Sequence, residues 1–326
     1  MQKIIGIGNS LVDVLAKASS DTILEEMNLP KGSMQLIGSE ELALISRRMR
    51  HMEHTRTSGG SAANTMKALA HVGISSGFIG KTAEDEFGLF FRSELESAGV
   101  KTQLICRKSG STGIASTFIS PDGQRTFATY LGVSAELNDT DITPDLFEGY
   151  DILYVEGYLV QNHQMIEKAV RLAKDKGMTV CLDSASYNIV ENERDFFNHL
   201  ISQYVDIVFA NEEEGRAFTG KAPEEAARAI GSLCHIAIVK CGSHGACACS
   251  GNEFIAVPAE KVDAVVDTTG AGDYFAAGFL QAYTKGKALP ECIRTGGLLA
   301  GAIIRVIGTT LQPSTWKQVS KNIDLI

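Results

Sequence analysis

The 326-residue chain is 44% hydrophobic and 21% charged, which is enough apolar content to bury a full core in two domains, or in one large α/β domain with an appendage. Its net charge of −9 excludes a general binder of nucleic-acid backbones, so an anionic ligand has to be held by a local cluster of donors. The opening MQKIIGIGNSLVDVLAK reads as neither signal peptide nor membrane span, no later stretch reaches about 18 uninterrupted apolar residues, and seven cysteines, an odd count, fit reduced thiols in the cytoplasm.

In chain order, KIIGIG (3–8) predicts a buried first strand. GNSLVD (8–13) then places Asn9 and Asp13 near the carboxyl edge of the sheet, where open α/β folds bind ligands. GIGNSL begins like a dinucleotide fingerprint, but Leu11 stands where the third glycine belongs. PKGSMQLI (30–37) gives a turn and a short strand. SGGSAANTMKALAHVG (58–73) is a glycine turn entering a helix. Gly59 and Gly60 permit close ligand approach, and Asn64 can both donate to and accept from sugar hydroxyls; the same residues also serve as ordinary caps and turns. SGFIG (76–80) is a strand, and the GKT that follows lacks the P-loop glycine, because residue 75 is serine. TGIASTFISPDGQRTFATYL (112–131) makes two alternating runs about Pro121-Asp122-Gly123, a β-hairpin pattern.

Further apolar strands are expected at 151–157, 178–183, 205–211 and 235–242. Between the first two, Met165, Ile166, Ala169, Leu172 and Ala173 share one helical face, with Gly177 as a C-cap. Apolar strands alternating with helices imply a mostly parallel sheet covered on both faces. NEEEGRAF (211–218) sets Asn211 and Glu214 three apart, a spacing that suits either a hydrated Mg²⁺ or an acidic helix start. KCGSHGA (240–246) offers Gly242 and Gly245 as a turn over nucleotide phosphates, with Lys240 beside it. The zinc reading of Cys241, His244, Cys247 and Cys249 is set aside for a strand in which Cys247 and Cys249 act as small hydrophobes on one face.

VDTTGAGDYFAAGFL (266–280) brings Gly270, Ala271, Gly272 and Asp273 to the start of an almost wholly apolar helix. The first amides of a helix have no internal partners and carry partial positive charge, which makes an anion hole. A carboxylate in that turn makes sense where it takes the proton of a hydroxyl that attacks a phosphoryl group held by the amides. The plainer alternative is a cap on a core helix.

Taken in order, GN–D at Gly8, Asn9 and Asp13, GG–N at Gly59, Gly60 and Asn64, NxxE at Asn211 and Glu214, GxxG at Gly242 and Gly245, and DTxGAGD at Asp267 to Asp273 resemble the ribokinase-like, PfkB-type carbohydrate kinases. The resemblance implies a three-layer α/β/α sandwich with a mostly parallel sheet and a small β-sheet lid. The core would be 1–11, 39–110 and 134–326, and the lid 12–38 and 111–133. It further implies ATP-dependent phosphorylation of a primary hydroxyl, with Asp273 as general base and the amides of Gly270, Ala271 and Gly272 as anion hole. Asp13, Gly60 and Asn64 would hold the sugar, Asn211 and Glu214 would influence Mg²⁺, and Arg125 would approach the phosphates. Asp267 matches a monovalent-cation (K⁺) loop of part of the family. YVEGYLV (154–160), DGQRTFATYLGVSAEL (122–137) and ECIRTGGLLAGAIIRVIG (291–308) are similar to adenosine kinases, with Phe118, Phe127 and Tyr158 as candidate walls for a purine; packing in the lid or the core is the plainer and preferred reading of these aromatics. A ribose or fructose kinase, or a non-catalytic binding regulator on the same scaffold, stays open. The expected partners are a small sugar or nucleoside and ATP, with neither nucleic acid nor membrane. A monomer and a homodimer pairing two lids are equally compatible.

Overall fold

A computed structural model describes residues 2–122 and 124–326; Gly123 of the expected hairpin turn lies outside them. The strands, in chain order, are β1 (Ile4–Ile7), β2 (Leu11–Lys17), β3 (Met34–Leu36), β4 (His54–Gly59), β5 (Ser76–Ala83), β6 (Lys101–Arg107), β7 (Gly113–Ile119), β8 (Arg125–Tyr130), β9 (Ile152–Glu156), β10 (Thr179–Asp183), β11 (Ile207–Asn211), β12 (Ile236–Lys240), β13 (Ala246–Ser250) and β14 (Glu253–Val257). Nine of them form one sheet in the order β14-β13-β12-β11-β10-β9-β1-β5-β6. Its pairings are parallel except for β12–β13 and β13–β14.

Side chains alternate across this sheet as the period of a strand requires. Ile4, Phe78, Ile152, Tyr154, Phe209 and Ile238 pack on one face against the helices Ser61–His71, Ala271–Thr284 and Leu289–Ile303. Ile5, Ile79, Leu153, Val155, Val180 and Val208 pack on the other against His163–Asp175 and Arg194–Gln203. The result is the expected α/β/α sandwich. β1 lies between β5 and β9, so strand order reverses there, and the crevice at the carboxyl ends of β1 and β9 is where a ligand enters such a sheet.

The second sheet has the order β3-β8-β7-β2-β4. It is wider than the sequence suggests. β4, whose HTRTSG was expected in the core segment 39–110, pairs antiparallel with β2 from Leu11↔Gly59 to Ala16↔His54. Its polar residues carry no strand pattern; the strand exists because β2 offers an unpaired backbone edge. This pairing sets Thr57 opposite Asp13 and Gly59 opposite Leu11. The same register decides between the two readings of Phe118 in favour of core packing. Asp13 pairs Ala115 and Ala16 pairs Phe118, so Phe118 lies on the opposite face of the sheet from Asp13, fully buried in the core. No helix among the described residues is long and apolar enough to cross a membrane. Cys247 and Cys249 pack with Val239, Ala226 and Ala227, as the hydrophobic reading holds.

Candidate active site

The helix Ala271–Thr284 is buried from Tyr274 to Ala282. Phe279 and Leu280 are fully buried, each worth about 1.5–3 kcal/mol. That is of the same order as the roughly 1–3 kcal/mol lost for each buried amide that lacks a partner, so it takes the whole buried run from Tyr274 to Ala282, and not these two side chains alone, to hold the helix with its start open. Gly270 makes the entry in the left-handed region, φ +78°, which a side chain would resist. The Ala271 amide donates to the Thr268 carbonyl at 3.1 Å. The amides of Gly270, Gly272 and Asp273 meet no acceptor among the described residues. Of the three expected hole donors, Ala271 is therefore engaged by its own turn, and the Asp273 amide joins Gly270 and Gly272.

Asp273 is half-buried and held on both oxygens by the first turn of the helix Ser61–His71. Ser61 Oγ donates to Oδ1 at 2.6 Å and Asn64 Nδ2 to Oδ2 at 3.0 Å. Burial lifts its pKa to about 6, and the Ser61 and Asn64 hydrogen bonds limit the rise; Asp183 adds to it and Lys240 opposes it. Asn64 Oδ1 is buried and has no partner among the described residues, which leaves an acceptor for a ligand hydroxyl. The helix enters through Gly60 at φ +88°, where a Cβ would strike the Asn9 carbonyl, and a Cβ on Gly59 would strike the Asp13 carboxylate.

Asp13 is half-buried beside this turn; burial raises its pKa to about 7, Lys67 and Arg125 pull it down and Asp273 pushes it up. Lys67 gave no signal in the sequence beyond its place in a helix. Its ammonium is buried, donates to Ser58 O and Oγ at 2.7 and 2.8 Å, and burial drops its pKa to about 8. Asn9 does not present its side chain to the crevice as expected. It is 6% exposed, donates to Glu156 Oε1 at 2.7 Å and accepts from Ser134 Oγ at 3.1 Å. Glu156 also accepts from the Ala62 amide at 3.0 Å, which ties the helix start to the end of β1. A lone glutamate closing the apolar run ILYVE was the one signal for it.

A row of polar residues ends the adjoining strands. Glu156 of β9 faces Asp183 of β10, and Asn211 of β11 faces Lys240 of β12. Lys240 Nζ donates to Asp183 Oδ2 at 3.2 Å and would lie 3.1 Å from a Cβ on Gly272, so its charge stands at the start of the helix Ala271–Thr284. Burial works against that charge, but Asp183, Glu214 and Asp273 hold its pKa above the usual lysine value. Asn211 and Glu214 first serve each other: Asn211 N and Nδ2 donate to Glu214 at 2.8 and 2.7 Å, and Asn211 Oδ1 caps the Glu214 amide at 2.8 Å. Burial pushes the Glu214 carboxyl up and Lys240 pulls it down. The Gly242–Gly245 turn is closed by Cys241 N donating to Gly245 O at 2.7 Å.

Arg125 and Phe127, two apart on β8, share a face and are half-buried. Tyr158 is 39% exposed; burial, with Glu156, Asp183, Glu214 and Asp273, pushes its pKa to about 12. Arg125 pairs with Asp267 at 2.7 Å and donates to Thr269 Oγ1 at 3.2 Å. The Asp267 carboxylate is met by donors on both oxygens, which does not fit the expected cation ligand.

The chain matches the pfkB family carbohydrate kinase model over residues 33–316. An adenosine kinase from Sinorhizobium meliloti has the same fold at TM-score 0.88 and 33% identity, covering 98% of this chain and 99% of that one. A probable sugar kinase from Rhizobium etli CFN 42 gives TM-score 0.89 and 33% identity, covering 100% and 99%. An ATP-dependent ribose-1-phosphate kinase from Halopiger xanaduensis is 31% identical, covering 76% of this chain and 81% of that one. The resemblance drawn from the motifs, with its lean toward adenosine kinases, is borne out: the chain belongs to the pfkB family of carbohydrate kinases and is a kinase.

Proposed function

We propose that this kinase transfers the terminal phosphoryl group of ATP to a primary hydroxyl of an adenosine-like ribonucleoside, with Asp273 as general base. The acceptor oxygen bonds to the γ-phosphorus, the bond from that phosphorus to the β–γ bridging oxygen breaks, ADP leaves, and the hydroxyl proton passes to Asp273. The observation that carries the reading is the convergence of the half-buried Asp273 carboxylate, the open amides of Gly270 and Gly272, and the Lys240 ammonium at one helix start. The amides and Lys240 face the charge that develops on the transferring group. Asp13 and Asn64 suit the ribose hydroxyls, and the Gly242–Gly245 turn suits the nucleotide phosphates. Glu214 keeps lone pairs beyond its Asn211 bonds and sits with Asp183 against one lysine, a donor set that fits a hydrated Mg²⁺. When bound, the ion neutralises charge on the β- and γ-phosphates.

The flat faces of Phe127 and Tyr158 favour a base-bearing acceptor over a bare sugar, and an adenosine kinase stands among the relatives at 33% identity. The small sheet acts as the lid over this acceptor, and seven free thiols suit a cytoplasmic setting. The test is ADP release from Mg-ATP across adenosine, other nucleosides, ribose, ribose 1-phosphate and fructose. Preference for adenosine supports the reading, preference for a bare sugar moves it to a ribose or fructose kinase, and silence throughout with ligand-induced stabilisation retained makes the chain a binding regulator.

A further inference from the structure

The Asp267 carboxylate is 7% exposed, and every direction it offers is filled. Oδ1 accepts from the Thr269 amide at 3.1 Å and from Thr269 Oγ1 at 2.8 Å. Oδ2 accepts from the Gly308 amide at 2.7 Å and from Arg125 Nη2 at 2.7 Å. An ionised carboxylate has about four lone-pair sites, and four donors meet these two oxygens. A metal cation could enter only by displacing one of them, and the one that carries charge is the guanidinium. Keeping both cations around a single buried carboxylate would leave a net positive charge out of water, which is costly. The carboxylate also joins two segments of the anion-hole wall. Thr269 precedes Gly270, and Gly308 precedes Thr309, whose Cγ2 would stand 3.0 Å from a Cβ on Gly270.

We propose that Arg125 supplies the positive charge at Asp267 that a monovalent cation would otherwise bring, so that the kinase needs no K⁺, and that K⁺ and Arg125 exclude each other at this carboxylate. Arg125 belongs to β8 of the small sheet whereas Asp267 belongs to the large body, so the charge that steadies the anion-hole turn arrives with the sheet that covers the crevice. The turnover arm of this inference rests on the phosphoryl-transfer reading above; its binding arm does not.

The experiment compares KCl with tetramethylammonium chloride at equal ionic strength, for the wild type and Arg125→Ala. Initial rates of ADP release from Mg-ATP with the best acceptor agree within about twofold for the wild type, whereas Arg125→Ala is slow in tetramethylammonium and about tenfold faster in KCl, a coupling of ordinary size for two ligands sharing one site. Thermal unfolding without nucleotide gives the second readout: KCl leaves the wild-type midpoint unchanged and raises that of Arg125→Ala, because an ion that binds only the folded state stabilises it. A wild type activated about tenfold or more by K⁺ overturns the proposal. So does an Arg125→Ala protein indifferent to K⁺ in both readouts. Should no acceptor turn over, the phosphoryl-transfer reading fails while the unfolding comparison still decides this one.

Discussion

Ser61 Oγ donates a 2.6 Å hydrogen bond to Asp273 across 212 residues of sequence, and Asn64, one turn further along the same helix, holds the other carboxylate oxygen. Two helix starts therefore meet head to head: one supplies open amides and a carboxylate, the other supplies the donors that aim the carboxylate. Burial alone would carry Asp273 further from the ionised form, and these two donors keep its pKa near 6.

Removing the proposed base while keeping its shape is the most direct trial. Asp273→Asn is expected to lower kcat by at least about a hundredfold with acceptor binding retained. Steady-state rates and calorimetric titration of the acceptor check this, and an unchanged kcat removes Asp273 from the chemistry.

The pH profile follows from the same carboxyl. The proposed base works ionised, so kcat/KM is expected to fall as pH drops through about 6. Ser61→Ala deletes a contact that lowers this pKa, and the acid limb then moves to higher pH. The loss is larger at pH 6 than at pH 8. A Ser61→Ala profile that is merely scaled down, with its limb unmoved, would show that the hydroxyl does not tune the base.

Glu156 links folding to pH. Its pKa is about 7 in the fold against an ordinary 4.5, because burial disfavours the charged form more than the Ala62 and Asn9 hydrogen bonds favour it. The folded chain thus binds this proton more tightly than the unfolded chain. The stability it contributes is complete below about pH 4.5 and is lost as pH rises through about 7. Glu156→Gln is expected to unfold more easily at pH 5, by about 1–3 kcal/mol, since one amide end must face a backbone donor, and to show a flatter dependence between pH 5 and 7.5. Denaturant melts at the two pH values decide it.

Adjacent glycines should separate binding from folding. Gly59→Ala puts a methyl against the Asp13 carboxylate from a backbone that any residue adopts, so KM for the acceptor should rise with stability nearly kept. Gly60→Ala imposes φ +88° on a side chain and a clash with the Asn9 carbonyl, and should cost more than about 1 kcal/mol of stability. Equal melting temperatures for the two variants would refute the distinction.

The residues that sequence reading located are those whose chemistry is local. Ile4–Ile7 and Ile152–Val155 announce buried strands by their apolar runs, and Gly270 to Asp273 announce a helix mouth by turn residues before an apolar helix. Asp13, Gly59, Gly60 and Asn64 follow from the same kind of signal, a polar or small residue where a strand stops or a helix starts. Packing decided what those residues face. Asn9 sits where a ligand contact was expected and is tied instead to Glu156 and Ser134. Phe118 turns into the core because pairing with β2 sets the phase of β7. The polar strand His54–Gly59 forms only because β2 supplies its partner. Asp267, matched to a cation loop, is answered by Arg125 from the other sheet. Periodicity and turn chemistry act between near neighbours in the chain and can be read from it; the partner of a buried charge or an unpaired edge is chosen by which distant segments the closed core brings within hydrogen-bond reach.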